Sequence, residues 1–367
     1  MTCTSFHVDT ERTWRGGEQQ VLYLARGLQA AGHRAIVVCQ PRSPLLKAAQ
    51  EASLETVAIR MLGEADPVAS FRLATLGRRV QAHLIHAHTS CAHTLGIVAR
   101  SMGCRASLIV ARRVDFPIRS RWKYGNSVNR FIAVSEAVRR VLEQGGVPRD
   151  RIAVVHDGVD LGRIASAPQH DYRAEFGLNR SHILIGNAAH MADHKGQRFL
   201  IDAMPLVLQR HPEARLLIVG TGELWNSLTA QARRLHVEHA VIFAGFRTDV
   251  PSILKGLDVF VISSHLEGLC SSLLDALAAG CPVVATSAGG IPEVVEDKHN
   301  GLLVPARDPQ ALANGICHLI EDRSLAARLA HHGRLTVEQR FSVKRMVDGT
   351  LAVYRSVLKA ATTKESP

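Results

Sequence analysis

Two carboxylates eight positions apart, Glu267 and Asp275, bracket an expected helix start in the run EGLCSSLLDALAAGCPVVAT at 267–286. A strand is expected to end near Ser263. The loop then carries Glu267, Gly268, Leu269 and Cys270, and a helix opens at Ser271 or Ser272 and stops at Gly280. Backbone N–H groups at a helix start, with the helix dipole behind them, form a pocket for an anion. Gly268 lets the backbone approach a phosphate closely. One carboxylate before the helix and one about a turn inside it suit two polyol contacts along one extended ligand, such as a sugar and a ribose. Taken alone, the pair reads better as one carboxylate stabilising the helix dipole and a second, exposed one. A second stretch changes that balance. IGNAAHMADHKGQRFLIDAM at 185–204 follows a strand and brings Lys195-Gly196 to a helix start, where a lysine reaches the same phosphates as a point charge. Cys270 has no base nearby in sequence and reads as a small filler, although a helix N-terminus can lower a thiol pKa.

Elements of a recognisable plan must hold these residues. Short β-branched runs alternate with helix-period segments along the whole chain. Strands are expected at 35–39, 84–87, 107–111, 131–134 and 152–155, then near 182–188, 214–219, 240–244, 258–262, 282–286 and 301–304. Helices are expected over 18–31, after Ser135, and near 197–210, 223–235, 272–279, 308–321 and 341–359. Strand–helix alternation with buried strands means an α/β class with parallel sheets covered on both faces. At 367 residues two domains are natural. The expected division is a first Rossmann-like domain over 1–165, a linker over 166–180, and a second over 181–340. Residues 341–367 then form a helix that crosses back to the first domain. Doubly wound sheets bind ligands at their strand C-terminal ends.

VGTGE at 219–223, GFRTDVPSILKGLDVFVISS at 245–264 and GGIPEVV at 289–295 follow in order. The run from 185 to 304 resembles the donor half of the retaining glycosyltransferase family 4, in its bacterial lipopolysaccharide and cell-surface glycan type. That family has the GT-B fold, two Rossmann-like doubly wound domains facing a central cleft. Its Glu-x7-Glu element stands here as Glu267 and Asp275, and its G-R-L-x-x-x-K-G element as AHMADHKG at 189–196. WRGGE at 14–18 resembles the glycine-rich loop, and HAH at 86–88, VSEAV at 134–138 and HDGVD at 156–160 fall in the family's order.

The resemblance implies that Lys195, Glu267 and His88 form the catalytic set. Lys195 binds the donor diphosphate, Glu267 holds the transferred sugar, Asp275 holds the ribose, and backbone around Phe246 and Arg247 cradles the base. Gly222, Gly268, Leu269, Cys270 and Ser271 complete the donor side, and Gly16 and Gly17 approach the phosphate from the first domain. His88 stands on the acceptor side. From the residues alone, Arg113 in ARRVDFPI reads equally as a contact to an acidic acceptor or as a surface residue, and strand period two assigns His86 to the opposite face as packing. Two departures stand out. His190 replaces a phosphate-binding arginine, which makes charge compensation weaker and pH-dependent, and Asp275 is one methylene shorter than the usual Glu. The implied reaction transfers a sugar from a UDP-sugar (GDP- and ADP-sugars are the alternatives) with retention and with no required cation or cofactor. The leaving diphosphate's charge is met by Lys195 and helix N–H dipoles, and the second half has no D-x-D.

The net charge of +11 divides unevenly. Residues 1–165 hold 23 Lys and Arg against 13 Asp and Glu, and the remainder 21 against 20. The densest basic piece is Arg112, Arg113, Arg119, Arg121 and Lys123, interleaved with Phe116, Trp122 and Tyr124. Such a loop suits an anionic membrane surface and a glycan or lipid-linked acceptor. The expected location is therefore cytoplasmic, peripheral on the inner face of the membrane. No basic start precedes an apolar run at the N-terminus, and seven scattered cysteines make neither a disulfide framework nor a zinc site. An epimerase-like sugar-nucleotide enzyme of the same fold is the nearest alternative. A nucleic-acid-binding protein is suggested by basicity alone and lacks a reading helix. A dehydrogenase is disfavoured because no G-x-G-x-x-G opens the first helix.

Overall fold

The computed structural model describes residues 2–365, with side chains through residue 361. The chain divides into two compact units, residues 1–158 with 343–367, and residues 159–342. The expected linker at 166–180 lies inside the second unit. A one-and-a-half-turn helix, Leu161–Ser166, opens that unit, with the Asp160 side chain capping it through the Arg163 N–H.

The first unit is a seven-stranded parallel sheet. Its strands are β1 (Thr4–Val8), β2 (Arg34–Cys39), β3 (Glu55–Ala58), β4 (Leu84–Ala87), β5 (Ser107–Arg112), β6 (Arg130–Ala133) and β7 (Ile152–Val154), in the order 3-2-1-4-5-6-7. Strands β2, β4 and β5 are buried on both faces, as their unbroken apolar runs require. The helix Gly16–Ala30 lays Val21, Leu24, Ala25 and Leu28 against the sheet. The C-terminal helix Val343–Glu365 packs on it so tightly that a Cβ at Gly27 would stand 2.3 Å from Val347. Full burial of each such side chain contributes about 1.5–3 kcal/mol.

The second unit is a six-stranded parallel sheet of β8 (Ile183–Ala188), β9 (Ala214–Val219), β10 (Val241–Gly245), β11 (Val259–Ile262), β12 (Val283–Thr286) and β13 (Leu302–Val304), in the order 10-9-8-11-12-13. Ile185, Leu216, Ile218, Val261 and Val284 form its centre beneath the helices Gln197–Arg210 and Pro309–Glu321. In each sheet the strand order reverses once, at β1/β4 and at β8/β11. Doubly wound sheets bind ligands at such switch points, beyond the strand ends. Segments 9–17 and 88–89 leave the first switch point, and segments 189–196 and 263–270 leave the second. His88, His190, Lys195, Glu267, Gly268, Leu269 and Cys270 fall on these loops, Gly16, Gly17, Ser271 and Asp275 on the helices that follow them, and Arg113, Gly222, Phe246 and Arg247 after the neighbouring strands. Among the described residues no helix is long and apolar enough to cross a membrane.

Candidate functional site

In the second unit the two loops at the β8/β11 switch point are stitched together by backbone. The His265 N–H donates to the His194 carbonyl at 2.9 Å, and the Ser263 hydroxyl donates to the Lys195 carbonyl at 3.1 Å. Gly196 turns the first loop into its helix at φ 65°, and a Cβ there would lie 2.1 Å from the Ser263 carbonyl oxygen. This stitching sets the Lys195 Nζ 2.6 Å from the Glu267 Oε2, with Glu267 almost fully buried. The Ser264 hydroxyl donates to the same oxygen at 3.2 Å.

The eight-residue helix Ser271–Ala278 starts directly after this pair. Its cap residue, Cys270, sits at φ 77° and provides no side-chain cap. The first N–H groups of a helix have no intrahelical partner, so this start keeps its anion-binding character. Burial pushes the Cys270 thiol up to about 11, which agrees with a filler and not a nucleophile. Leu269 and Gly268 are buried beneath the loop, and Ser271 is half-buried at the helix start.

The other donor-side candidates vary in what holds them. Asp275 stands within 3.8 Å of Arg163, and burial pushes it up to about 6 against that cation. His190 Nε2 lies 3.1 Å from Glu223 Oε2. Gly222 is compulsory, because a Cβ would meet the Met191 carbonyl at 2.4 Å. Phe246 is 56% exposed, a bare ring available for stacking. The Arg247 guanidinium is tied to Asp249 at 2.9 and 2.6 Å and to Glu175, so it stiffens this turn.

In the first unit Gly16 and Gly17 open the helix after β1, and a Cβ at Gly17 would meet nothing within 4 Å. His88 is buried beyond β4, and its Nδ1 lies 3.1 Å from Arg113 Nη1. Arg113 also donates from Nε to Asp157 Oδ1 at 3.2 Å. His86 shares a face with His88, contrary to expectation, since residues two apart on a strand point the same way. Their rings stand 4.2 Å apart, and His86 Nδ1 is 2.8 Å from the Tyr354 hydroxyl.

The ring nitrogens of His7, His86 and His88 come within 4.8 Å of one another, a spacing that could suggest a metal site. Arg113 argues against it. A guanidinium can only donate, so His88 Nδ1 accepts and Nε2 carries the proton, leaving no lone pair there for a cation.

Two glycosyltransferase family models match this chain. "Glycosyltransferase Family 4" matches residues 14–163 and "Glycosyl transferases group 1" matches residues 180–322. The chain is built of glycosyltransferase domains. It is 28% identical over 62% of its length to the glycosyltransferase MJ1607 of Methanocaldococcus jannaschii, and spans 60% of that protein. It is 29% identical over 67% of its length to the lipopolysaccharide core biosynthesis glycosyltransferase LpsE of Rhizobium meliloti, and spans 69% of that protein. Among solved structures, Anabaena Alr3699/HepE in complex with UDP and glucose superposes with a TM-score of 0.86. The match covers 96% of this chain and 100% of that one, at 23% identity. The fold is therefore GT-B.

Several residues of these glycosyltransferase domains were not singled out from sequence. His7 and Asp157 join the His88 cluster, while Asp9 and Glu18 are buried acids beside the glycine-rich segment. The Glu18 carboxylate accepts from the Arg15 N–H at 2.6 Å. Burial, then the Asp9 charge, pushes Glu18 up to about 7. A carboxyl whose pKa is higher folded than unfolded keeps its proton on folding. Its contribution is then complete below its ordinary value of 4.5 and is lost as pH rises to about 7. Glu18→Gln keeps an acceptor for Arg15 and removes this loss. It should leave thermal stability nearly unchanged at pH 4.5 and raise it by about 3 kcal/mol at pH 8. Lower stability than native at pH 8 would show that the folded state uses the carboxylate.

The basic loop also differs from its reading in sequence. Lys123 is buried, with its Nζ 2.5 Å from Glu64 Oε2, and Arg112 is bonded to the Tyr124 hydroxyl and the Phe116 carbonyl. Only Arg119 and Arg121 of the five cations stand exposed, next to exposed Phe116 and Trp122. The Lys123–Glu64 pair ties this loop to a segment that exposes Leu62, Val68 and Phe71.

Proposed function

We propose that the protein is a retaining glycosyltransferase. It moves a sugar from a nucleotide-diphosphate donor, a UDP-sugar first, to a glycan or lipid-linked acceptor of the cell surface. The observation that carries this reading is the Lys195–Glu267 pair at 2.6 Å, its carboxylate buried, beside an uncapped helix start. Breaking the bond to the diphosphate gives an oxocarbenium-like sugar and a growing negative charge on the leaving phosphate. Lys195 and the N–H groups at Ser271 stabilise that charge from fixed positions, and no step requires a cation. Glu267 holds a sugar hydroxyl, and Lys195 is drawn from it toward the phosphate as the bond breaks. The acceptor hydroxyl attacks from the face the diphosphate leaves and gives its proton to the departing phosphate oxygen, which preserves the anomeric configuration. HepE was crystallised with UDP and glucose, and LpsE is named for lipopolysaccharide core synthesis; both support donor and acceptor of these classes.

The same reading has the enzyme working on the inner face of an anionic membrane. Arg119 and Arg121 provide the charge, at about 1 kcal/mol per residue near the surface. Trp122, Phe116, Leu62, Val68 and Phe71 provide exposed apolar area beside them. Incubation with anionic vesicles carrying a lipid-linked acceptor tests both parts. The protein should sediment with these vesicles at low salt and leave them at high salt, and the product should keep the donor's anomeric configuration by NMR. Arg119→Ser with Arg121→Ser should weaken sedimentation severalfold and spare hydrolysis of the donor. Equal, negligible sedimentation with anionic and neutral vesicles would refute the membrane part, and an inverted product would refute retention.

A further inference from the structure

The buried histidines of the first unit form a line with a single consistent proton arrangement. Arg113 donates to His88 Nδ1 at 3.1 Å, so the His88 proton is on Nε2. That nitrogen is 3.1 Å from His7 Nδ1, which must accept, so the His7 proton is on Nε2. His7 Nε2 then meets the Ser5 hydroxyl at 3.1 Å. Ser5 and His7 are both fully buried in β1 and His88 nearly so, while Asp157 anchors the far end by accepting from Arg113 Nε.

We propose that His7 is a positioning residue for this transferase: by accepting the His88 Nε2 proton it keeps the His88 Nδ1 lone pair turned to Arg113, and so fixes the guanidinium on the acceptor side. The inference rests on the reading of His88 and Arg113 as site residues, and it assigns a role to a residue that touches neither sugar nor acceptor. Two of the five Arg113 donors are committed, to His88 and Asp157, and their directions determine where the remaining N–H groups point. Without an acceptor at His7, the His88 Nε2–H is left unbonded in the core, which is costly, so the ring turns from its native orientation. Its Nδ1 lone pair then no longer meets the Arg113 N–H, and the guanidinium loses that anchor and leaves its place. Burial and the Arg113 charge push His7 down to about 3, and burial with the neighbouring His86, Arg113 and His7 holds His88 well below the usual imidazole range. Both rings are thus neutral in ordinary buffers, as the line requires.

The test compares His7→Asn, whose Oδ1 stands close to the native Nδ1, with His7→Phe, which keeps a ring and removes the acceptor. Nitrogen-15 NMR of labelled histidine in the full chain reads whether the His88 Nδ1 still accepts a hydrogen bond, and steady-state kinetics reads donor and acceptor separately. The wild type and His7→Asn should show a hydrogen-bonded His88 Nδ1, and His7→Phe should show one that has lost its donor. His7→Phe should raise KM for the acceptor roughly tenfold, the worth of one buried hydrogen bond, with KM for the donor unchanged. Ser5→Ala, a milder change at the end of the line, serves in place of His7→Phe if that variant does not fold, and should shift the His88 signals in the same direction. Unchanged His88 Nδ1 signals in these variants, or equal acceptor losses in His7→Asn and His7→Phe, overturn the proposal. Nδ1 signals that respond as stated in a protein without acceptor-dependent transfer would leave the line standing and refute the site reading instead.

Discussion

Lys195→Met is expected to lower turnover of the nucleotide sugar about a hundredfold, a loss of ~3 kcal/mol of transition-state stabilisation. The native ammonium lies at the end of a loop whose carbonyl is fixed by Ser263 and whose next residue is a compulsory glycine, so under the proposed function it is preorganised for the leaving phosphate. Methionine keeps the length and apolar stem of the side chain and deletes the charge. Glu267 then loses its cation but keeps the Ser264 hydroxyl, so the fold should survive with reduced stability. The loss should fall on kcat more than on the donor KM, because phosphate charge is greatest as the bond breaks. Native turnover in this variant would remove Lys195 from the site.

Gly196→Val is expected to be the most damaging single change outside the charged residues. The position is at φ 65°, where a side chain costs about 1–2 kcal/mol, and its Cβ would be 2.1 Å from the Ser263 carbonyl. Backbone has to move, and overpacking adds roughly 1–3 kcal/mol. The two loops that hold Lys195 and Glu267 would separate, so a fall of roughly 3 kcal/mol in stability should accompany nearly complete loss of activity. Gly280→Ala is the matched control. Its φ is 73°, but nothing lies within 4 Å of its Cβ. It should cost only the conformational part and keep activity. Equal effects of the two substitutions, measured by thermal denaturation, would show that close approach of the loops is not what Gly196 provides.

The parts legible in sequence are those whose signal is local. The run VFVI at 259–262 is apolar throughout and became β11, and the Ser135 cap became the cap of Glu136–Gln144, accepting from the Val138 N–H at 3.1 Å. Loop motifs placed Lys195 and Glu267 on their elements, although the 2.6 Å contact between positions 72 apart needed the sheet order. The strand β1 was not expected because Ser5 and His7 break its apolar run, and the structure shows those two polar groups bonded to each other inside the core. The helix Pro67–Arg79 was missed as well, although Asp66 caps it through the Ala69 N–H and Pro67 stands in its first turn. The partners of His88 lie at positions 7 and 113, and Arg113 in turn meets Asp157, on the loops and strands of a parallel sheet whose order 1-4-5-6-7 no local pattern reports. Charge counting failed for the same reason at Lys123, whose partner Glu64 comes from another segment.

The central claim is that the second unit's loops hold a nucleotide-diphosphate sugar through Lys195. Its most direct test is thermal denaturation of the full chain with a panel of UDP-, GDP- and ADP-sugars. A ligand bound only to the folded state at a hundred times its Kd stabilises by about 2.7 kcal/mol. One nucleotide class should therefore raise Tm clearly and saturably, and the same donor should give a much smaller rise with Lys195→Met. No rise with any nucleotide sugar, or an equal rise in the native protein and the variant, would contradict the account.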